Sequence, residues 1–313
     1  MHSIRDLKSH KTHLSMLSLI AGAVLISFSG VWIKVANVTP NVSVFYRVFI
    51  GGIVLLAAAL YRREIRWPAL RYLLLSLLCG VFLALDLWLF HYSVEYTGPG
   101  LGTILPNFQV FILAGFGSLC LKEPLRLAYL LSLPLAFTGL FMIVGINWSH
   151  LEASYRIGVY YGLAAAVFYA AFILSLRKLQ ADQMGASFFY VLMTVSFSTT
   201  VFLAAEVVHS NNSFRIPDLQ SLFSLMALGV LSHALGWILI ANALPKIHAS
   251  LSGLILLLQP ALAFVWDVLF FQRPTSLVNW LGVLIALAAI YLGMARKSAN
   301  ADNTPGDVPI RRG

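Results

Sequence analysis

Ten apolar stretches, each long enough to cross a bilayer and each nearly free of charge, dominate this chain of 313 residues. They fall at about 14–36, 41–61, 70–93, 100–121, 127–147, 156–176, 186–208, 219–241, 250–271 and 277–295. A helix needs about 20 consecutive apolar residues to span the hydrocarbon core, where only helices and closed barrels satisfy their own backbone hydrogen bonds. The residue-by-residue alternation of a barrel strand is absent. Polar, Gly or Pro punctuation bounds the stretches, as at Thr39-Pro40, Gly98-Pro99-Gly100 and Glu123-Pro124. Composition agrees: 59% of residues are hydrophobic and 11% charged, against about 25% charged in soluble domains. A soluble globule is excluded, and an all-α integral membrane protein with ten transmembrane helices is expected. Ten spans take roughly 200 residues, so short loops and no large extramembrane domain are expected.

The formal net charge of +9 raises the question of nucleic acid, which the placement of the basic residues answers. With ten spans both termini lie on one side, and sixteen of the 21 Lys and Arg fall on it: Arg5, Lys8, Lys11, Arg62, Arg63, Arg66, Arg71, Lys122, Arg126, Arg177, Lys178, Lys246, Arg296, Lys297, Arg311 and Arg312. Only Lys34, Arg156, Arg215 and Arg273 lie on the other, with Arg47 inside the second span. Basic loops stay in the cytoplasm during insertion. Cytoplasmic N- and C-termini in the cell (inner) membrane are expected, and no nucleic-acid partner is implied. The first span follows a polar head and is too long for a signal-peptide core, so it is expected to be retained. The tail 297–313, rich in Asn, Pro, Gly and charge, is expected to be disordered.

Sliding the chain by 150 residues superposes punctuation of its two halves. Gln109 falls on Gln259, Leu121-Lys122-Glu123-Pro124 on Phe271-Gln272-Arg273-Pro274, and Ala84-Leu85 on Ala234-Leu235. Each half holds five spans, about 14–147 and 156–295, and an odd number sets the halves in opposite orientations across the membrane. Inverted repeats of this kind can open a shared midplane site to either side in turn.

Ionisable residues within spans cost roughly 2.5–3.5 kcal/mol each to insert and normally face the bundle interior or a wet cavity. Here they are Arg47, Asp86, His91, Glu206, His233 and Asp267, with Lys34 closing the first span where it can snorkel to the interface. In the ninth span Gln259, Ala263 and Asp267 recur every four residues with Trp266 and Phe270 beside them, the best candidate cavity wall. The corresponding face of the fourth span carries Asn107, Phe111, Ala114 and Ser118, with Gln109 adjacent; close helix packing through Ala114, Gly115 and Gly117 is the competing reading. Asp86 and Asp267 suit a substrate ammonium or a coupling proton, and either could instead pair with Arg47 as an interior gate. Trp32, Tyr169 and Trp237 are aromatic candidates for an amphipathic pocket that holds an organic solute by stacking or cation–π contact.

Cys79 and Cys120 lie in apolar stretches and form neither a disulfide framework nor a metal site. No Walker, zinc, dinucleotide or Gly-x-Ser-x-Gly motif occurs, so no cofactor is expected. A membrane-embedded enzyme would need a clustered nucleophile and base or a metal set, which His91 and His233 do not supply.

Several segments together resemble the drug/metabolite transporter superfamily, EamA family. They are Phe28-Ser29-Gly30-Val31-Trp32-Ile33-Lys34, Phe45-Tyr46-Arg47, Gly98-Pro99-Gly100-Leu101-Gly102-Thr103 with Asn107-Phe108-Gln109, Lys122-Glu123-Pro124 and Leu258-Gln259-Pro260. The resemblance spans about residues 16–295. It implies two inverted EamA repeats, a central cavity with the fifth and tenth helices more peripheral, and secondary export or exchange of small metabolites such as amino acids. It also implies cavity positions for Asn107, Gln109 and Gln259. The second half departs from the pattern, because Arg273 stands where Glu123 stands in the first. The expected partners are a small-molecule metabolite, protons and the lipid bilayer. A passive channel and a membrane solute sensor stay open as alternatives, as do substrate identity, flux direction and oligomeric state.

Overall fold

The structure, a computed structural model, describes residues 2–65, 68–144, 153–182 and 187–294; for 2–12, 98–101 and 153–154 it describes the backbone alone. The expected disordered tail lies outside these residues. Among them every regular element is helical, and ten helices are long and apolar enough to cross a membrane. They are α1 (His13–Val35), α2 (Pro40–Tyr61), α3 (Leu70–Thr97), α4 (Gly102–Leu119), α5 (Leu127–Val144), α6 (Tyr155–Ala181), α7 (Phe188–His209), α8 (Leu219–Lys246), α9 (Ala249–Phe271) and α10 (Leu277–Met294). Exposed Leu, Ile, Val and Phe side chains cover the outside of the bundle, as lipid contact requires.

The repeat read from the sequence recurs in the backbone. Outside glycine a positive φ is uncommon, yet Lys122 and Gln272, which the 150-residue offset superposes, have φ of 54° and 50° in the turns that end α4 and α9. Arg63 and Asn211 do the same after α2 and α7, at 55° and 52°. Breaks in helical geometry also correspond. A 3₁₀ turn, Leu105–Phe108, interrupts α4 around Pro106, and α9 is interrupted at Leu257, three residues before Pro260. Proline lacks an N–H and clashes with the preceding turn, which accounts for both breaks. Where α3 meets α4, Gly102 lies so close to Val94 that a Cβ on it would be 2.7 Å from the Val94 Cα.

Buried apolar side chains gather in two main clusters that cut across the repeats. One is built chiefly on α1, α2, α3, α6, α7 and α8, and the other on α4, α5, α9 and α10. In the second, Gly139 of α5 and Gly282 of α10 meet so closely that a Cβ on either would lie 2.6 Å from a backbone atom of the partner helix. Asn279 of α10 donates to the carbonyls of Met142 and Ile143, both at 3.0 Å.

The loops gather at two ends. At the end carrying the basic turns, Glu64 accepts from the Phe189 amide at 3.0 Å, and Glu123 meets the start of α9. At the opposite end Asn37 donates to Asp218 at 2.9 Å, and the Tyr46 hydroxyl donates to the Phe214 carbonyl at 2.7 Å. Asp218 caps α8 by accepting from the Ser221 amide, and these contacts hold its carboxyl below the usual carboxylate range, the Asn37 bond most.

Candidate functional site

A cavity of about 730 Å³ lies within the bundle and draws its wall from both apolar clusters. From the first come Arg47 of α2, Asp86 and Phe90 of α3, Tyr169 of α6, and His233 and Trp237 of α8. The second contributes Asn107 of α4 and the α9 face Gln259, Ala263 and Asp267. The breaks in α4 and α9 fall beside Asn107 and Gln259, so interrupted helices build part of the wall, as in many transporter sites. The volume suits a small organic solute.

Local backbone geometry aims several of these groups. In α8 the stretch Leu228–Leu235 is π-helical, and it carries His233, whose Nε2 lies 3.0 Å from the Ser196 hydroxyl of α7. A π turn widens the helix and shifts the phase of the residues beyond it, a device frequent at functional sites. Asp86 is 7% exposed and His233 3%.

Arg47 and Asp86 lie within each other's electrostatic field, yet no ion pair at 4 Å or less joins them. Instead, the Arg47 Nε and the Gln259 Nε2 are buried without a close hydrogen-bond partner among the described residues, the Gln259 amide facing the Tyr169 hydroxyl, and both residues line the cavity. Both atoms are donors only. A buried donor without an acceptor costs about 1–3 kcal/mol; as lining residues, the cationic Arg47 and the amide Gln259 match this wall to an acceptor-rich group such as a carboxylate. Asp86 across the same cavity is matched to a cation.

The alternative in which Arg47 pairs with Asp267 or Asp86 as an interior gate does not fit these contacts. Asp267 pairs instead with Lys34 of α1 in a short contact, and with Arg273 at 3.5 Å. Lys34 does more than snorkel: it also lies over the Phe271 ring at 4.9 Å. This trio stands at the end of the cavity opposite the basic turns, where the Lys34 side chain is 52% exposed.

Of the other sequence candidates, Gln109 is fully buried outside the wall, its amide donating to the Gly253 carbonyl at 3.5 Å. Trp266 stacks on Phe28 at 4.2 Å and donates to Ser27 at 2.7 Å. Trp32 packs with Ala36 and Leu225, and His91 sits against Tyr92. The fourth-span face divides, because the 3₁₀ turn changes its phase: Asn107 meets the cavity while Phe111 is exposed and packs on Phe137. The fifth helix is less peripheral than implied, supplying Leu140, Ile143 and Val144 to the wall, whereas α10 supplies none. Lys34 and Arg273 are wall residues that sequence reasoning missed. Their only signal was proximity to the predicted ends of the first and ninth spans.

Residues 13–145 and 156–294 match the model of the EamA-like transporter family. The chain is 22% identical to the uncharacterized transporter YxxF of Bacillus subtilis, over 98% of both chains. It is 27% identical to the pseudopaline exporter CntI of Pseudomonas aeruginosa, over 70% of this chain and 74% of that one. A crystal structure at 15% identity superposes with a TM-score of 0.74, covering 90% of this chain and 96% of the other, which establishes likeness of fold.

Proposed function

The chain belongs to the EamA-like transporter family and is a multi-pass membrane transporter; from its cavity we propose that it is a secondary active exporter of small zwitterionic metabolites, amino acids or related compounds. One observation carries this reading. The cavity wall brings together the Arg47 guanidinium and the Gln259 amide, groups suited to a carboxylate, with a buried carboxylate on Asp86 that has no ion pair among the described residues. A solute bearing a carboxylate and an ammonium satisfies both, and Trp237 with Phe264 offers apolar surface for the rest of it. The name of the Pseudomonas aeruginosa relative, an exporter, supports the direction of flux. Two five-helix repeats support alternating access, and a carboxylate only 7% exposed inside the bundle supports proton coupling through Asp86.

By the distribution of basic loops, the basic end faces the cytoplasm of a cell (inner) membrane and both termini lie there. The cavity then opens outward through the Lys34–Asp267–Arg273 rim.

The test is flux of amino acids, amines, nucleosides and sugars in liposomes, with and without a pH gradient. The parent should move amino-acid-like solutes in response to the gradient. Asp86→Asn should lose that response, and Arg47→Gln should lose carboxylate-bearing solutes at least tenfold. Gradient-blind flux, unchanged in Asp86→Asn, would make the protein a facilitator; solute binding without flux would make it a sensor.

A further inference from the structure

Buried against the basic end is an acid with more partners than any turn requires. Glu123 sits between α4 and α5, 7% exposed and outside the cavity wall. Its carboxylate accepts from the Ala249 amide at 2.7 Å, the Ser250 amide at 3.2 Å and the Ser250 hydroxyl at 2.8 Å. These groups open α9, whose own N-cap residue His248 provides no side-chain cap. The helix that carries Gln259 and Asp267 on the cavity wall is therefore capped by the other repeat. A carboxylate there meets unpaired N–H groups and the positive end of the helix dipole.

The Arg177 guanidinium and the His248 ring face this carboxylate. His248 Nδ1 lies 3.8 Å from it on an exposed side chain, and Arg177 of α6 lies 3.8 Å away while donating to the Ile247 carbonyl in a short hydrogen bond. Arg177 reaches from α6 to two turns at once, the Glu123 turn between α4 and α5 and the Ile247 carbonyl between α8 and α9. Arg177 thus ties three helices' ends together at the basic end. Local geometry prepares the acceptor. The positive φ of Lys122 turns the chain, the Glu123 amide donates back to the Gly117 carbonyl at 2.8 Å, and Gly117 leaves the room its carboxylate occupies.

We infer that Arg177, docked on Glu123 and the Ile247 carbonyl, is the gate that shuts the cavity toward the basic end, and that this contact releases when the cavity opens there. The inference rests on the alternating-access reading of the two repeats. Glu123 is the positioning residue: it fixes α9 and presents the charge on which Arg177 docks. The structure then records the state open at the Lys34–Asp267–Arg273 rim and shut at Arg177.

The experiment reads access from each side. With Cys79 and Cys120 replaced by serine, a single reporter Ala263→Cys on the cavity wall is placed in vesicles of known orientation and exposed to a membrane-impermeant maleimide. In the otherwise unaltered protein it should label from the opposite side and be protected from the basic side. Arg177→Gln should raise labelling from the basic side at least tenfold, Arg177→Lys less, and Glu123→Gln to an intermediate degree. Ser250→Ala, which removes one hydroxyl donor, keeps the test valid should a charge variant fail to fold; a twofold rise is expected. Folded Arg177→Gln and Ser250→Ala that both stay protected like the parent would overturn the gate. Flux assays on the same vesicles separate the two claims. Unlocked labelling in a protein that moves no solute would sustain the gate and remove the exporter, whereas flux without any labelling shift would do the reverse.

Discussion

At each end of the bundle a carboxylate sits between two basic side chains, but the two trios live in different surroundings. At the basic end Glu123, with its side chain 6% exposed, faces Arg177 and His248 and also holds three donors at the start of α9. At the opposite end Asp267, 19% exposed, faces Lys34 and Arg273 on the rim of the cavity. The repeat offset places Arg273 where Glu123 stands in the other half. An arginine cannot cap a helix start, because guanidinium has no acceptor and the helix dipole repels it there. A single difference between two copies of one turn thus lets the protein cap a helix across repeats at one end and leaves water-exposed charges at the other.

The largest expected effect comes from putting the same residue at both acids. Glu123→Lys leaves the α9 amides without an acceptor and sets a cation against Arg177, so a loss of about 3–5 kcal/mol is expected, as for a broken buried pair. Asp267→Lys faces two cations in contact with solvent and should cost about 1 kcal/mol or less. Denaturant melting of both variants in the same detergent gives the ratio, and equal losses would erase the distinction between the ends. Next comes Gly117→Ala, whose new methyl would lie 2.5 Å from a Glu123 oxygen, with an expected cost of about 1–3 kcal/mol. Gly115→Ala two residues away meets nothing within 4 Å and should be neutral or stabilising by up to about 1 kcal/mol.

Smaller still is Asp267→Asn, expected to leave stability nearly unchanged and to alter flux a few-fold. That change should fade between 0.01 and 1 M salt, where the screening length falls from about 30 to 3 Å; a salt-independent effect would assign Asp267 a buried role instead. The smallest effect concerns the capped start of α8. The folded-state carboxyl of Asp218 is lowered, first by Asn37 and then by Ser221. Its stabilisation is therefore complete above the unfolded value of about 3.9 and fades as pH falls through the lower folded value. Melting at pH 7 should be slightly lower in Asp218→Asn than in the parent, and the gap should close in strong acid.

The ten helices were legible because the bilayer demands long apolar runs, and the repeat was legible because Gln and Pro punctuate it. The α9 face was read correctly as a row because Leu258–Phe271 is regular helix, which keeps Gln259, Ala263 and Asp267 in phase on the wall. The α4 face was misread because periodicity assumes one helix type, and the 3₁₀ turn at Leu105–Phe108 rotates Phe111 away. The π stretch hides the orientation of His233 for the same reason. Lys34 and Asp267 are 233 positions apart, and no local pattern announces a contact of that separation. Glu123 was visible only as the acid before a proline, since its partners depend on how two repeats dock.

The seam between α5 and α10 is built differently from the charged ends, because glycine at Gly139 and Gly282 brings main chain against main chain. At these two points backbone meets backbone, and Leu140, Val283 and Ala286 pack around them, which leaves little room for a second arrangement. The seam's freedoms are to slide as a rail or to come apart, and the Asn279 amide bridging two carbonyls resists both. A bulky residue at Gly139 would part the two helices at the stretch of α5 that also carries Leu140 and Ile143 to the cavity wall.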